Sequence, residues 1–130
     1  MLHAFRTAIE ASGRIPDVIL TGHVHNYQRY TWKLEQCEVP VIVAGAGGYP
    51  NLHRLARPNG RRIHTPFRPA GSDATLESYV DNRHGFLRLE VTSTRVTGKY
   101  YAVPWDEGDD RGERVDIFHL DLESRQLVAH

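Results

Sequence analysis

The sequence lacks the residues on which several specialised classes of protein depend. Its 130 residues include a single cysteine, Cys37, so it can form neither an intrachain disulfide nor a cluster of metal-bound thiolates. Sixteen basic residues balance sixteen acidic ones, which gives no global attraction to nucleic acid or to an acidic membrane surface. No signal peptide is recognisable, and no apolar run approaches the roughly 18 residues of a membrane span. We therefore expect a soluble protein with neither a nucleic-acid nor a membrane partner, and its localisation stays open.

Histidine is the residue type that stands out among those present, with eight copies. The other proportions, 40% hydrophobic and 25% charged residues, are those of an ordinary globular domain. The length fits one domain, spanning residues 1–130. Because only one cysteine is available, any bound metal would take its ligands from His, Asp, Glu or Tyr.

The first half of the chain shows a helix followed by two apolar strands. Residues 2–12 carry apolar side chains at helical spacing, and Ser12-Gly13 ends the pattern. The apolar face of this helix comprises Leu2, Phe5, Ala8 and Ile9. Residues 18–20 and 39–44 are wholly apolar runs, which predict strands covered on both faces. The second run ends in four residues, 45–48, of which three are glycine.

The second half of the chain is predicted to be mainly antiparallel sheet. Residues 53–83 begin with a stretch rich in arginine and proline and are predicted to form a long, irregular, basic surface excursion. Apolar and polar residues then alternate in 85–91, and 95–103 follows as the partner of a hairpin. Residues 115–122 are predicted as the last strand. The fold class is α/β (α+β), with one N-terminal helix followed by mixed and antiparallel strands.

A pair of histidines directly after the first strand is the strongest chemical signal. In an extended segment, His23 and His25 would point to the same side with their Cα atoms ~7 Å apart. The carboxyl ends of strands are where open α/β sheets place their sites, and imidazole binds zinc, iron, manganese and copper. Such a pair also arises by chance in a histidine-rich chain, but the preceding strand and Gly22 favour metal binding.

Residues 17–29 read Asp-Val-Ile-Leu-Thr-Gly-His-Val-His-Asn-Tyr-Gln-Arg. This segment resembles the last metal motif of the calcineurin-like metallophosphoesterases, in its purple acid phosphatase form. Residues 39–48 and 85–91 are similar to the strands that follow in that family. The resemblance implies hydrolysis of phosphomonoesters or phosphodiesters at a dinuclear centre of iron, zinc or manganese ions. It also implies a four-layer αββα sandwich, with His23 on the second metal and His25 on the first.

Three further residues near this motif are candidates for contact with a phosphate ester substrate. Tyr27 and Arg29 follow the histidine pair, and an arginine there can form a bidentate pair with phosphate. Their alternative role is to pack and solvate the loop. His53 follows the glycine-rich loop and is a candidate substrate-binding residue, with an exposed histidine of no function as its alternative.

The family's earlier motifs, Asp-x-His, Gly-Asp and Gly-Asn-His, are absent from the sequence. We therefore expect the chain to be the C-terminal portion of a metallophosphoesterase, with an incomplete domain that is inactive in isolation. A different function also fits: a non-catalytic, β-rich binding or assembly module whose histidine pair is vestigial. In either case, truncation would expose a surface through which the chain self-associates.

Overall fold

A computed structural model describes residues 2–56, 58–105, 108 and 111–129. These residues form one α-helix, eight strands and a 3₁₀ turn at Pro58–Gly60. The elements are α1 (Leu2–Ser12), β1 (Ile19–Thr21), β2 (Tyr27–Leu34), β3 (Cys37–Ala44), β4 (Ala74–Val80), β5 (Gly85–Val91), β6 (Arg95–Ala102), β7 (Glu113–Asp121) and β8 (Gln126–Val128). The chain is therefore an α+β protein with one helix and two mainly antiparallel sheets.

The first sheet has the strand order β1-β3-β2-β4. Strands β2 and β3 form an antiparallel hairpin, and β4 pairs antiparallel to β2 on its other side. Strand β1 pairs parallel to β3, with Ile19 opposite Val41 and Thr21 opposite Val43. Because β1 and β3 run in the same direction, the loops that follow them leave the sheet at the same edge.

The second sheet has the order β5-β6-β7-β8 and is antiparallel throughout. It packs against the first sheet through a shared apolar cluster, which contains Ile42 from β3, Tyr100 from β6 and Phe118 from β7. The opposite face of the first sheet is covered by α1. Alternation along β3 explains both contacts, since Val41 faces the helix and Ile42 faces the second sheet. The described residues thus form three layers, and the fourth layer implied by the resemblance stays a prediction.

The predictions for several elements are confirmed by the structure. Helix α1 spans the predicted residues, and Leu2, Phe5 and Ile9 pack on the first sheet, although Ala8 remains exposed. Strand β5 has the predicted bounds, and β3, β6 and β7 lie within two residues of theirs. In the described residues, no helix is both long and apolar enough to cross a membrane.

Other predictions are wrong, and the reasons lie in how the strands are paired. Residues 18–20 are not covered on both faces, because β1 is an edge strand and Leu20 is 53% exposed. The irregular excursion predicted for 53–83 contains β4, which has too few consecutive apolar residues to be recognised without its partner β2. Strand β7 is not the last, since the short strand β8 extends the second sheet.

Candidate metal and phosphate site

Two loops meet at the carboxyl ends of the parallel strands β1 and β3. The amide of Gly45 donates a hydrogen bond to the Asn26 carbonyl (3.0 Å), and the amide of His53 donates one to the His25 carbonyl (3.0 Å). A Cβ on Gly45 would lie 2.0 Å from the carbonyl oxygen of Val24, so only glycine fits there. The 22–26 loop and the 45–53 loop therefore form one continuous surface.

The backbone turns sharply at His23. Its φ is 69°, in the left-handed region, and the amide of Val24 donates a hydrogen bond back to the carbonyl of Gly22 (2.8 Å). This is a γ-turn with positive φ, which is rare and strained for a residue with a side chain. A second three-residue turn follows, from the amide of Asn26 to the carbonyl of Val24 (2.8 Å).

The prediction of an extended segment from His23 to His25 is therefore wrong. The physical reason is topological: β2 lies on the far side of β3 from β1, so the connection must cross the end of β3 within residues 22–26. Two tight turns take the chain across that end, over the backbone of Gly45.

The ring of His25 is held in one orientation by the neighbouring loop. Its Nδ1 lies 2.9 Å from the carbonyl oxygen of Asn51. A carbonyl only accepts hydrogen bonds, so Nδ1 carries the proton and Nε2 of the neutral ring has a free lone pair. Histidines that bind metals are commonly fixed in this way, with the second ring nitrogen donating to a backbone carbonyl. His25 is thus prepared to act as a ligand through Nε2.

His53 lies directly against His25. The two rings stack with centroids 4.3 Å apart and planes 19° apart, and the ring of Tyr49 also contacts His25 at 4.3 Å. The backbone amide of His25 donates to Nδ1 of His53 (3.1 Å). Since that nitrogen accepts, the proton of the neutral His53 ring is on Nε2, which is a hydrogen-bond donor. The structure therefore brings together two of the predicted residues, His25 and His53.

His84 supports the same loop from the segment between β4 and β5. Its Nε2 donates to the carbonyl oxygen of Tyr49 (2.8 Å), and the next residue, Gly85, donates its amide to the carbonyl of Ala46 (3.1 Å). These bonds hold the loop at Ala46 and at Tyr49. His84 therefore has a structural role in the 45–53 loop.

A buried polar network ties the two loops to the sheet. The side chain of Asn26 is 1% exposed, and its Nδ2 donates to the carbonyl of His53 (2.9 Å). Its Oδ1 accepts from Nε2 of Gln28 (2.8 Å), whose Oε1 in turn accepts from the hydroxyl of Tyr30 (2.7 Å). Burial raises the pKa of Tyr30, so that hydroxyl stays protonated and remains a donor.

Tyr27 and Arg29 lie near the loops in sequence, but their side chains face the second sheet. Nε and Nη2 of Arg29 form a bidentate pair with the Asp116 carboxylate (2.7 and 2.9 Å), and the Tyr27 hydroxyl donates to the same group (2.7 Å). Burial and the Asp116 carboxylate raise the pKa of Tyr27. Burial opposes the charge of Arg29, but Asp116 outweighs it and the pKa of Arg29 is raised. Both residues are thus structural, and their predicted contact with phosphate is replaced by contact with Asp116.

The histidine pair does not make a complete metal site within the described residues. In that part of the chain, no group of three or more His, Cys, Asp or Glu side chains is placed to hold a metal ion. The chemistry of His23 and His25 fits two imidazole ligands of a larger site, and no carboxylate of the described chain completes it. An open catalytic zinc site commonly has three protein ligands.

The contributions of Asn26, Tyr49 and Asn51 were not predicted from the sequence. Two of them act through backbone carbonyls, which no residue pattern reveals. The parallel pairing of β1 with β3 is the signal that would have found this surface, because it places both following loops at one edge.

Comparisons with models of protein families, with curated proteins and with solved structures return no match to this chain.

Proposed function

We propose that this chain contributes imidazole ligands to the centre of a metal-dependent phosphoesterase, which hydrolyses phosphomonoesters or phosphodiesters. His23 and His25 are the ligands, and the proposed family is the calcineurin-like metallophosphoesterases of the purple acid phosphatase type. The observation that carries the proposal is the orientation of His25, whose Nδ1 donates to Asn51 and whose Nε2 keeps its lone pair.

The strained turn at His23 supports the same function. A residue with positive φ costs of order 1–3 kcal/mol, and such residues cluster at functional sites. Here the turn lies at the carboxyl end of a strand, two residues before an imidazole with a fixed tautomer. The crossing of β3 accounts for the turn, and the choice of histidine at positions 23 and 25 is what the proposed function explains.

The proposed centre holds two ions of iron, zinc or manganese, which would activate a water, polarise the phosphoryl group and stabilise the leaving oxygen. The residues of this chain orient the metal ligand and contact the substrate. His25 is oriented by Asn51 and covered by the rings of Tyr49 and His53. His53 offers its Nε2 proton as a hydrogen-bond donor to a phosphoryl oxygen of the substrate.

Two neutral imidazoles cannot by themselves form this centre. They neutralise no charge, and they do not bridge two ions as carboxylates do. The remaining ligands must come from outside the described residues. We therefore expect the isolated 130-residue chain to bind metal weakly and to have no phosphatase activity of its own.

The ligand assignment is tested by titrating the chain with Zn²⁺ while the ¹⁵N signals of the imidazoles are recorded. We expect Zn²⁺ to shift the Nε2 signal of His25 and a ring signal of His23, and each single variant, His23→Ala or His25→Ala, to weaken the response of the histidine that remains. His3→Ala is the matched control, because His3 is an exposed histidine on α1. Shifts confined to other histidines would contradict the assignment.

The activity is tested with p-nitrophenyl phosphate. The chain alone should hydrolyse this substrate no faster than its His23→Ala/His25→Ala variant. If a longer reading frame exists and encodes Asp-x-His, Gly-Asp and Gly-Asn-His motifs upstream, its protein should hydrolyse the substrate in a metal-dependent manner, and the same double substitution should abolish that activity. Metal-dependent hydrolysis that survives the double substitution would refute the proposal.

A second candidate function, a non-catalytic assembly module, is favoured by the edge of the first sheet. Leu20 on β1 is exposed, and a cavity of about 440 Å³ lies beside the histidine loop with an apolar lining that includes Val24, Val41 and Val43. An edge strand with exposed apolar residues is suited to pairing with another chain. In that function the histidines would bind nothing.

A further inference from the structure

Asn26 joins the histidine loop to the loop that carries His53. Both polar atoms of its carboxamide form hydrogen bonds: Nδ2 donates to the carbonyl of His53, and Oδ1 accepts from Gln28. Its backbone carbonyl accepts from the amide of Gly45. One residue therefore contacts both loops, and its side chain is almost wholly buried.

The orientation of the carboxamide is fixed by its two direct partners, the carbonyl of His53 and the amide group of Gln28. Gln28 donates to Asn26 and accepts from Tyr30, so the three polar side chains form a chain with a single consistent direction of donation. Rotating the Asn26 amide by half a turn would place its NH₂ against the NH₂ of Gln28. Because the carbonyl of His53 can only accept, the Nδ2 end of Asn26 faces it, and Gln28 completes the arrangement by donating to Oδ1.

The position of His53 in turn determines what surrounds His25. The two residues exchange backbone and side-chain hydrogen bonds, from the His53 amide to the His25 carbonyl and from the His25 amide to Nδ1 of His53. Their rings are stacked, and Asn51, two residues before His53, supplies the carbonyl that fixes the His25 tautomer. Anything that anchors the backbone at His53 therefore anchors both imidazoles.

We propose that Asn26 is the positioning residue of this site, and that its hydrogen bond to the His53 carbonyl holds His25 as the Nδ1–H tautomer and His53 as the Nε2–H tautomer. The part of this proposal that concerns metal binding rests on the proposed function. The part that concerns the tautomers of His25 and His53 rests only on the hydrogen bonds and ring contacts described above. Groups that orient a histidine ligand typically change metal affinity 10–100-fold when they are removed.

The test records the tautomers of both rings by ¹⁵N NMR in mildly alkaline buffer. In the wild-type chain, we expect His25 to show protonated Nδ1 and His53 to show protonated Nε2. In Asn26→Leu, which has a similar volume and no hydrogen-bonding groups, both rings should lose these single-tautomer signatures and show averaged signals. Asn26→Ser, which is polar but too short to reach the His53 carbonyl, should have the same effect if Asn26→Leu does not fold.

Two control variants separate positioning from general destabilisation. Tyr30→Phe removes the far end of the same network and leaves the bond from Asn26 to His53 in place. Leu120→Val weakens the core between the two sheets, far from the network. Both should keep the wild-type tautomers even where they lower stability. Unchanged tautomers in the folded Asn26 variants, or equal loss in the controls, would overturn the proposal.

Zn²⁺ titration of the same variants distinguishes this inference from the proposed function. If both hold, Asn26→Leu should bind Zn²⁺ at His25 about 10–100-fold more weakly than the wild-type chain. If Zn²⁺ does not bind at His25 even in the wild-type chain, the proposed function fails, and the tautomers still decide whether Asn26 positions the two rings.

Discussion

At the scale of single residues, the pair formed by Arg29 and Asp116 joins the two sheets. The Arg29 side chain is 12% exposed and that of Asp116 is 9% exposed, so both charges are largely withdrawn from water. Asp116 accepts three hydrogen bonds, two from Arg29 and one from Tyr27. Removing one partner of a buried ion pair leaves the other charge without compensation, which is more costly than the pair itself is stabilising.

We predict that Asp116→Ala lowers the free energy of unfolding by about 3–5 kcal/mol, because it leaves the Arg29 guanidinium buried and unpaired. Urea denaturation followed by circular dichroism measures this loss. Arg88→Ala is the control, since Arg88 forms an exposed pair with Glu90 and its loss should change stability by less than about 1 kcal/mol. Equal effects of the two substitutions would contradict the assigned role.

His25 and Arg29 show what the sequence can and cannot reveal at the scale of single residues. His25 was found from its motif, because the preceding strand and glycine are adjacent to it in the chain. Arg29 was left with two alternative roles, contact with phosphate or packing, because its partner Asp116 is 87 residues away and no local pattern connects the two. The tautomer of His25 was also beyond prediction, since it depends on a backbone carbonyl in another loop.

At the scale of elements, prediction succeeded where each segment had its own hydrophobic period. Helix α1 and strand β5 were found at their observed bounds, because their apolar residues repeat at helical and strand spacing. Strand β2 was not predicted as a strand, since Gln28, Arg29 and Thr31 interrupt its aromatic residues. It lies between β3 and β4, and the partner of Arg29, Asp116, comes from the second sheet.

The loop after β3 gives a prediction at this scale. Gly45→Ala should shift the histidine loop, because its Cβ would lie 2.0 Å from the Val24 carbonyl oxygen, a backbone atom that cannot move alone. We expect a loss of about 1–3 kcal/mol in the free energy of unfolding, which is the usual range for overpacking, together with changed imidazole signals from His25 and His53.

Gly47→Ala is the matched control for that substitution. It lies in the same loop, no atom comes within 4 Å of its added Cβ, and its φ is not positive. It should therefore leave both stability and the imidazole signals close to those of the wild-type chain. If Gly45→Ala behaves like Gly47→Ala, the two loops are not in the tight contact described above.

At the scale of the whole molecule, the three layers leave one boundary of the first sheet open. Within the described residues, strand β1 pairs with β3 and with no strand on its other side, and a second cavity of about 440 Å³ runs along it between Phe5 and Ile9 of the helix and Val18 and Leu20. The sequence predicted that these residues were covered, because an apolar run indicates burial but does not say by what. The open boundary and the two proposed ligands, His23 and His25, lie on the same strand and its following loop.

We predict that this boundary makes the chain self-associate at high concentration, with the β1 edge of one copy against that of another. Sedimentation velocity should show a concentration-dependent dimer, and Leu20→Lys should weaken dimerisation about tenfold or more, because burying a leucine contributes about 1.5–3 kcal/mol and 1.4 kcal/mol is a factor of ten. Val91→Lys is the matched control, since Val91 is 69% exposed on β5 of the other sheet. A chain that stays monomeric at all concentrations, or a dimer weakened equally by both substitutions, would show that the β1 edge is not the contact surface and would remove the main support for the assembly function.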